Sequence, residues 1–553
     1  MAHYPHILKP LAFAAATLPM VFGFTSCQNS TVELQQIGRY ESGVFADGAA
    51  EIVSYDARSQ RAFVINANAS TVDVLGMSDP TSPVLLGTID ATALGGGANS
   101  VSSYNGVVAV AIQADNKQDN GLVAFYNASD LSLLNTVAVG SLPDMVTFSP
   151  NGKYVLVANE GEPSSDYKND PEGSISVINL RKGVRRATVK TADFTAYIGK
   201  EDELRAQGVR IFGPGANAAQ DLEPEYISVA DDNKTAYVSL QENNAIAVVN
   251  IRKAKVVDIL PLGTKDYSLA RNSIDASDKD DAINITTWPV QGMYMPDSID
   301  TVSIKGQTYI VTANEGDARD YWFDAESEAA CLEAGGQEFD EDDGCLAFSE
   351  ELRVKDLDLD PAVFPDAYLQ DNENLGRLKT TSTLGDANND GLNETIYSYG
   401  SRSFTIWDTK GNIVFDSGND FEVITSAQLG DNFNNDDEEN KGDSRSDDKG
   451  PEPEAIVVGE VLGKTYAFIG LERVGGIMVY DITVPAESKF VQYVTNRDFD
   501  VDPGEGADAG DLSPEGFSFV PAHKSPNRMP LLIVGNEVSG TTTVYQVTPK
   551  LLP

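Results

Sequence analysis

Short apolar strands separated by tight polar turns recur along most of the chain and predict an all-β protein. In five segments, Pro and an acid precede an apolar strand, a turn, a second apolar strand and a final Glu; they begin at Pro143, Pro224, Pro296, Pro453 and Pro514. Turns such as SPNG, DDNK, IKGQ and LGKT contain the Gly, Asn and Asp residues typical of tight hairpins. Four of the five segments continue directly into a third apolar strand, namely SISVINL, AIAVVNI, GIMVYDI and TTTVYQV.

Two weaker copies, from Glu51 and from Asn99, bring the pattern to seven antiparallel units. In the unit that begins at Pro296, the third strand is delayed until SRSFTIWD at Ser401, which predicts a long acidic insertion over about residues 318–396. Because a closed ring of repeated sheets protects the sheet edges, we predict a seven-bladed β-propeller over residues 41–553, with the insertion in blade five. Helical signal is weak, and DELRAQGV near residue 205 is the best short candidate.

Acidic residues recur at two fixed positions of the repeat. The first strands start at Asp144, Glu225, Asp297, Glu454 and Glu515, and the second strands end at Glu160, Glu242, Glu315, Glu472 and Glu537. Because both positions lie at one edge of a meander, we expect these acids to meet around one mouth of a central channel. Two interpretations are open: each acid caps a turn as part of the repeat, or together they bind a divalent cation. The weaker copies retain only Glu51, so the predicted ring is incomplete.

The overall charge narrows the function classes. The chain has 84 acidic and 40 basic residues and a net charge of −44, which argues against nucleic-acid binding and against docking on anionic membranes. His523 is the only histidine outside the leader, so a multi-histidine zinc site is excluded. Catalysis, if present, would use carboxylates, cationic side chains and hard metal ions. Arg319, Arg473 and Lys449 lie close in sequence to the recurrent acids and are the candidate catalytic or anion-binding residues.

The segment DANNDGLNE has the ligand spacing of a calcium loop. Its ligands at positions 1, 3, 5, 7 and 9 would be Asp386, Asn388, Asp390, the Leu392 carbonyl and Glu394. Gly391 falls at position 6, but position 12 is Tyr397 instead of the usual Glu, so the segment is not a full EF-hand. The alternative is an ordinary turn rich in Asp and Asn. We predict that the loop binds calcium in a structural role, with an affinity suited to extracellular calcium.

The N-terminus has the features of a secretory signal peptide over residues 1–26, with an apolar stretch shorter than the ~20 residues needed to span a bilayer. The segment FTSC resembles a bacterial lipobox, which makes Cys27 the candidate lipidation site; ordinary cleavage near Ser26 is the alternative. Residues 27–40 would then be an N-terminal linker or anchor. We therefore expect an exported protein, either an outer-membrane or cell-surface lipoprotein or a periplasmic or secreted protein, with the lipid as its sole membrane contact.

Export also permits a disulfide bond. Cys331 and Cys345 flank the acidic segment LEAGGQEFDEDDG and are the only cysteines besides Cys27. We predict that they form a disulfide that closes a loop in the insertion, because two free thiols are disfavoured in an oxidising compartment.

Several long motifs resemble the choice-of-anchor I family. They are MPDSI…TANEGDARDYW from Met295 to Trp322, GVRIFGPGA from Gly208 to Ala216, LQENNA from Leu240 to Ala245 and SDDKGPEPEAI from Ser446 to Ile456. This family includes bacterial secreted proteins and the mesenchyme-specific cell-surface glycoproteins of biomineralising animals. The resemblance covers roughly residues 40–550 and implies a β-propeller anchored at the cell surface. For the animal members it implies a calcium- or mineral-associated role, and it carries no catalytic residues onto this chain.

Two functional hypotheses follow. The first is an extracytoplasmic, monomeric, calcium-binding β-propeller that acts as a cell-surface binding or scaffolding module. The alternative is a calcium-dependent phosphoesterase of the alkaline phosphatase or phytase type, with a metal-carboxylate site at the channel mouth. That enzyme would act on a phosphorylated or other anionic small molecule, with Arg319, Arg473 and Lys449 as its candidate catalytic residues.

Overall fold

The computed structural model describes residues 30–551 and consists mainly of four-stranded antiparallel sheets. The predicted leader and Cys27 lie outside the described residues. We number the four-stranded sheets 1 to 7 in chain order of the strand at one end of each sheet, which we call its first strand; the strands of each sheet are given from this strand to the opposite edge. The strands of sheets 1 to 3 are, in turn, Val53–Asp56, Arg61–Asn66, Thr71–Gly76 and Val84–Asp90; Gly97–Tyr104, Val107–Gln113, Asn120–Asn127 and Leu133–Ser141; and Pro143–Phe148, Tyr154–Asn159, Ser174–Asn179 and Thr188–Asp193.

The remaining four-stranded sheets follow the same order. The strands of sheets 4 to 7 are Ile227–Val229, Thr235–Leu240, Ala245–Asn250 and Lys255–Pro261; Ile299–Ile304, Gln307–Ala313, Phe404–Asp408 and Ile413–Asp416; Pro453–Val461, Lys464–Leu471, Ile477–Asp481 and Lys489–Val494; and Pro514–Val520, Leu531–Asn536, Thr541–Leu551 and Ser30–Glu41. Each sequence repeat falls on one of these sheets.

The sheets form a closed ring, which is the architecture of a β-propeller. The first strand of each sheet contacts the first strand of the next, and the first strand of sheet 7 contacts that of sheet 1. Each neighbouring pair of sheets also shares a hydrophobic cluster; in the closing pair, Val64 of sheet 1 packs in one cluster with Ile533 of sheet 7. Second strands such as Tyr154–Asn159 are buried throughout, whereas the outer strand Val84–Asp90 is largely exposed. The first strands therefore surround the centre of the ring.

The N-terminal strand closes the ring and corrects one prediction. Residues 30–40 were expected to belong to a linker, but Ser30–Glu41 is the outermost strand of sheet 7 and pairs with Thr541–Leu551. Val32 and Leu34 are buried in the same cluster as Val547. This strand lies outside every sequence repeat, and its partner Thr541–Leu551 is about 500 residues away in sequence. No local sequence pattern therefore identifies it as part of sheet 7.

A separate layer lies beside the ring and is built from two chain connections. This layer contains three small sheets, formed by Thr264–Asp266, Val290–Met293 and Ile396–Ser398; by Asp320–Phe323, Gly344–Ser349 and Glu338–Asp340; and by Glu351–Arg353 and Lys379–Thr381. In the first of them, Val290–Met293 and Ile396–Ser398 pair in parallel. Tyr267, Trp288, Leu375 and Ile396 belong to a hydrophobic cluster of its own. The predicted disulfide between Cys331 and Cys345 is present in the connection between the second and third strands of sheet 5.

Helices are short. The α-helices are Glu201–Gln207, Ala218–Asp221, Glu328–Ala334 and Asp420–Leu429, and the 3-10 helices are Val184–Arg186, Thr195–Tyr197, Ala270–Asn272, Val354–Asp356, Ala367–Gln370, Gly430–Asn432, Pro485–Glu487 and Pro503–Ala509. The helix expected near residue 205 is present, but Asp420–Leu429 was not expected. Its Val, Ile and Thr residues are weak helix formers, and burial of Phe421 against Phe404 and Tyr480 stabilises it instead.

Candidate functional site

Backbone bulges direct three of the five acids that start the first strands towards the centre of the ring. Strand pairing is interrupted at the Pro-acid step of sheets 3, 6 and 7, at Asp144, Glu454 and Glu515. A bulge releases one residue from the ladder and re-aims its side chain. Sheet 2 has the same irregularity at Asn99, which is the amide counterpart of these acids.

These side chains line one cavity of about 280 Å³. Its acidic lining residues are Glu51, Asp144, Asp297, Glu454 and Glu515, and Asn99, Ser100 and Tyr226 contribute neutral polar groups. Carboxylates from five of the seven four-stranded sheets thus meet in a space only a few water molecules wide. We call this space the central acidic cavity.

The second set of acids adds further carboxylates next to the cavity. Carboxylate oxygens lie within 4.8 Å of one another in three groups, namely Glu51, Glu515 and Glu537; Asp297, Glu315 and Glu454; and Glu315, Glu452 and Glu472. Each group combines residues from neighbouring sheets or from the loop that joins them. This spacing suits oxygen coordination of a hard cation.

Burial and mutual repulsion raise the pKa values of Glu51 and of most of the recurrent acids. Burial, followed by repulsion from Glu537 and Asp144, raises the pKa of Glu51 to about 8. Burial, followed by repulsion from Glu162, raises the pKa of Asp144 to about 6. Burial is also the main cause of raised pKa values at Glu160, Glu225, Asp297, Glu454, Glu472, Glu515 and Glu537. The protein therefore pays an electrostatic cost when these groups ionise together without a compensating cation.

Several carboxylate oxygens have no donor in the described part of the chain. No N–H or O–H group donates to Oε2 of Glu225, Glu242, Glu454 or Glu515, although all four atoms are buried. These atoms therefore do not cap a backbone turn. A proton shared between neighbouring carboxyls, or a bound cation, is what can satisfy them.

Cationic side chains compensate part of the acidic ring on one side. Lys449 Nζ lies 2.6 Å from Glu315 Oε1 and 3.1 Å from Glu452 Oε2. Arg445 and Arg473 also pair with Glu452, which is fully buried. Burial alone would raise the pKa of Glu452, but the charges of Lys449, Arg445 and Arg473 outweigh it and hold this pKa well below its usual value. Glu452 was not among the predicted residues, although it lies two positions before Glu454 in the segment GPEPE.

Arg319 is buried away from solvent and paired with two acids. Its guanidinium lies 2.5 Å from Asp221 Oδ1 and 2.8 Å from Glu223 Oε2, and its side chain is 1% exposed. Arg473 similarly pairs with Asp437 and Glu472. The sequence identified neither Asp221 nor Glu223, which lie in the segment QDLEPE just before sheet 4.

The predicted calcium loop is a compact turn outside the central cavity. Oxygens of Asp386, Asp390 and Glu394 lie within 4.8 Å of one another. The Asp386 carboxylate accepts backbone N–H groups from Asp390 at 3.1 Å and Gly391 at 2.9 Å. Gly391 has a φ of +89°, a conformation that glycine adopts without strain. The side chains of Asn388 and Glu394 are hydrogen-bonded to each other. The arrangement brings three carboxylates together at the surface.

In the described part of the chain, residues 30–551, no helix is both long and apolar enough to span a membrane.

Comparison with known proteins gives two relatives and remote structural neighbours. The chain is 30% identical over 191 residues to gigasin-3a of Magallana gigas, covering 32% of this chain and 66% of that protein. It is 29% identical over 247 residues to the mesenchyme-specific cell surface glycoprotein of Strongylocentrotus purpuratus, covering 41% of this chain and 30% of that protein. The chain thus spans less than two thirds of the length of either relative. Among solved structures, Kuenenia stuttgartiensis hydrazine synthase aligns over 93% of this chain and 100% of the matched chain, with a TM-score of 0.46 and 11% identity.

The family model for the choice-of-anchor I domain matches residues 51–485, from the start of the first repeat to just beyond the third strand of sheet 6. The motifs that carried the resemblance in the sequence, from Gly208 to Ile456, all lie inside this range. The chain therefore belongs to the choice-of-anchor I domain family.

Proposed function

We propose that this protein is an extracellular or cell-surface binding module whose seven four-stranded sheets are the blades of a seven-bladed propeller and whose central acidic cavity binds calcium. The observation that carries the proposal is the group of five carboxylates around a cavity of about 280 Å³. Calcium accepts six to eight oxygen ligands in flexible geometry, which suits carboxylates supplied by separate sheets. A surface location is supported by the family and by its two relatives, one of which is named as a cell surface glycoprotein.

Charge compensation favours a cation over a turn-capping role. The raised pKa values show that these groups resist ionisation, and the unpartnered Oε2 atoms show that the described residues do not supply the missing donors. A bound divalent cation would both stabilise the ionised carboxylates and provide a partner for the unpaired oxygens. Lys449 already provides a positive charge at Glu315 and Glu452, whereas no ion pair of the described residues involves Asp297 or Glu454. We therefore place the strongest calcium site at Asp297 and Glu454, with Glu315 shared between this site and Lys449.

We expect the double variant Asp297→Asn, Glu454→Gln to bind at least one calcium ion fewer than the wild-type protein. Each amide keeps the size of the side chain but removes the charge that attracts the cation. The measurement is calorimetric titration of calcium into chelator-treated protein. The matched control is Asp371→Asn, Glu373→Gln, which removes two exposed carboxylates. An unchanged stoichiometry in the cavity variant would reject calcium binding at this place.

We also propose that calcium at the Asp386–Glu394 loop is structural. The sharpest variant is Asp390→Asn, because its remaining side-chain oxygen can still accept the Leu392 N–H that Asp390 Oδ1 accepts at 2.9 Å. We expect this change to lower the melting temperature in calcium but not in chelator. Asp371→Asn is the control for an exposed acid in a nearby loop. Equal losses in the two media would mean that the loop binds no calcium.

The phosphoesterase hypothesis stays a prediction. Its candidate cations Arg319, Arg473 and Lys449 are all ion-paired with buried or half-buried acids. Their positive charges are therefore already compensated by acids of the fold.

A further inference from the structure

A second cavity, of about 340 Å³, lies between sheet 4 and the side layer. The segment 208–212, which opens the family motif GVRIFGPGA, forms one wall. Met293 and Tyr397, from two strands of the side layer, contribute further residues, and Leu384 lies just before the candidate calcium loop. The volume falls in the range of small-molecule sites. We call this space the arginine cavity, because Arg205 and Arg210 are the only charged residues among the described residues that line it.

The cavity wall is largely apolar and is held in place by the surrounding structure. Val209, Ile211 and Met293 are each at most 4% exposed. Asn244, which also lines the cavity, donates to the Gly263 carbonyl at 2.8 Å and accepts the Met295 N–H at 2.9 Å. Its side chain is thus fixed by both neighbouring segments. A pocket with such fixed walls needs little reorganisation to bind a ligand.

The charged side chains that line this cavity are positive, whereas the net charge of the protein is negative. Arg205 and Arg210 contribute to it, and no acidic residue is among the described residues that line it. The chain nevertheless carries a net charge of −44. A lining that has arginines but no acidic side chain, in so acidic a protein, favours an anionic group in the ligand.

Both arginines can offer a donor to that group. Arg210 is 5% exposed; it pairs with Glu350 and donates to the Glu242 carbonyl at 2.7 Å, but its Nε has no partner in the described part of the chain. A buried N–H without an acceptor is costly and is best explained by an acceptor that arrives from outside. Arg205 pairs with Asp202 at 2.7 Å, but that carboxylate is fully exposed. Such a surface pair is weak and readily exchanged for a ligand.

We propose that the arginine cavity binds a small apolar molecule that carries one anionic group. The apolar part lies against Val209, Ile211 and Leu384, and the anionic group accepts hydrogen bonds from Arg205 and Arg210. This site is separate from the central acidic cavity, because the two lining sets share no residue.

The test uses two aromatic probes of similar shape and different charge. We expect 8-anilinonaphthalene-1-sulfonate to bind the full-length protein at one saturable site, as measured by calorimetry and fluorescence. N-phenyl-1-naphthylamine, which lacks the sulfonate, should bind at least roughly tenfold more weakly, because it forms no charge-assisted hydrogen bond. Equal affinity for the two probes would overturn the proposed preference for an anion.

Two variants at exposed positions assign the binding to this cavity. Arg205→Glu and Leu384→Asp should each weaken binding of the sulfonate probe by roughly tenfold or more, since each introduces a negative charge beside it. The matched controls Arg185→Glu and Leu86→Asp make the same changes at exposed positions outside the cavity and should bind like the wild-type protein. Melting temperatures verify that each variant is folded. No saturable binding in the wild-type protein, or unchanged affinity in either folded cavity variant, would overturn the proposal.

Discussion

In the metal-free protein, raising the pH from about 5 to about 8 should lower the free energy of unfolding by several kcal/mol. Burial raises the pKa of Asp144 to about 6, of Asp317 to about 7 and of Glu51 to about 8. These groups keep a proton in the folded protein at pH values where the unfolded chain has already released it. The stability they provide is complete below the unfolded pKa values and is lost as the pH rises through the folded ones. Each pKa unit corresponds to about 1.4 kcal/mol.

The measurement is denaturant unfolding across this pH range, with chelator and with calcium. Calcium should abolish most of the decline, because a bound cation stabilises the ionised carboxylates of the folded state. Glu51→Gln should flatten the decline without calcium, whereas the exposed control Glu373→Gln should leave it unchanged. The lowered pKa of Glu452 acts only at more acidic pH and does not affect this window. A metal-free protein whose stability is constant or rises from pH 5 to pH 8 would contradict the electrostatic description of the cavity.

Replacing Arg319 with Met should destabilise the protein by about 3–5 kcal/mol, because it leaves two buried acids without a counter-charge. Asp221 and Glu223 are each at most 1% exposed and both pair with the Arg319 guanidinium. The matched control is Arg205→Met, which removes an exposed ion pair and the hydrogen bond to the Ile211 carbonyl and should cost no more than about 2 kcal/mol. The measurement is the free energy of unfolding of both variants at one pH in calcium.

A second change separates loss of charge compensation from loss of packing. Adding Glu223→Gln to Arg319→Met removes one of the two unpaired charges, so part of the stability should return. If Arg319→Met were as stable as the wild-type protein, the buried ion pairs would not be needed for the fold. The sequence suggested Arg319 as a catalytic candidate because of its place after Glu315; its burial between Asp221 and Glu223 points to a structural role.

Much of the architecture could be predicted from local sequence patterns. Alternating apolar strands and Gly, Asn or Asp turns predict hairpins because strand period and turn geometry depend on neighbouring residues. The recurrence of Pro-acid steps also indicated positions that share one edge: Asp144, Asp297, Glu454 and Glu515 line one cavity, whereas Glu225 is not among its lining residues. The disulfide could be predicted because only two cysteines remain outside the leader region.

Other features of the structure, such as the burial of Glu452 and the side-layer cluster, could not be predicted from neighbouring residues in the sequence. Glu452 resembles any loop glutamate in sequence, yet it is fully buried and holds Lys449, Arg445 and Arg473 together. The hydrophobic cluster of the side layer joins Trp288 to Leu375, residues from two connections separated by the first two strands of sheet 5. Such contacts depend on how the chain returns in space, which residue periodicity does not encode.

The sequence by itself determined the repeat, the all-β character, the family and the identity of the acids that recur at each repeat. Those properties follow from short-range rules of strand, turn and repeat geometry. Only the tertiary structure decided that Ser30–Glu41 closes the ring, that Arg319 is sequestered by Asp221 and Glu223, and that a basic cavity exists in a strongly acidic protein. These outcomes depend on desolvation and on charges brought together from distant positions, because burial determines which charges must be compensated.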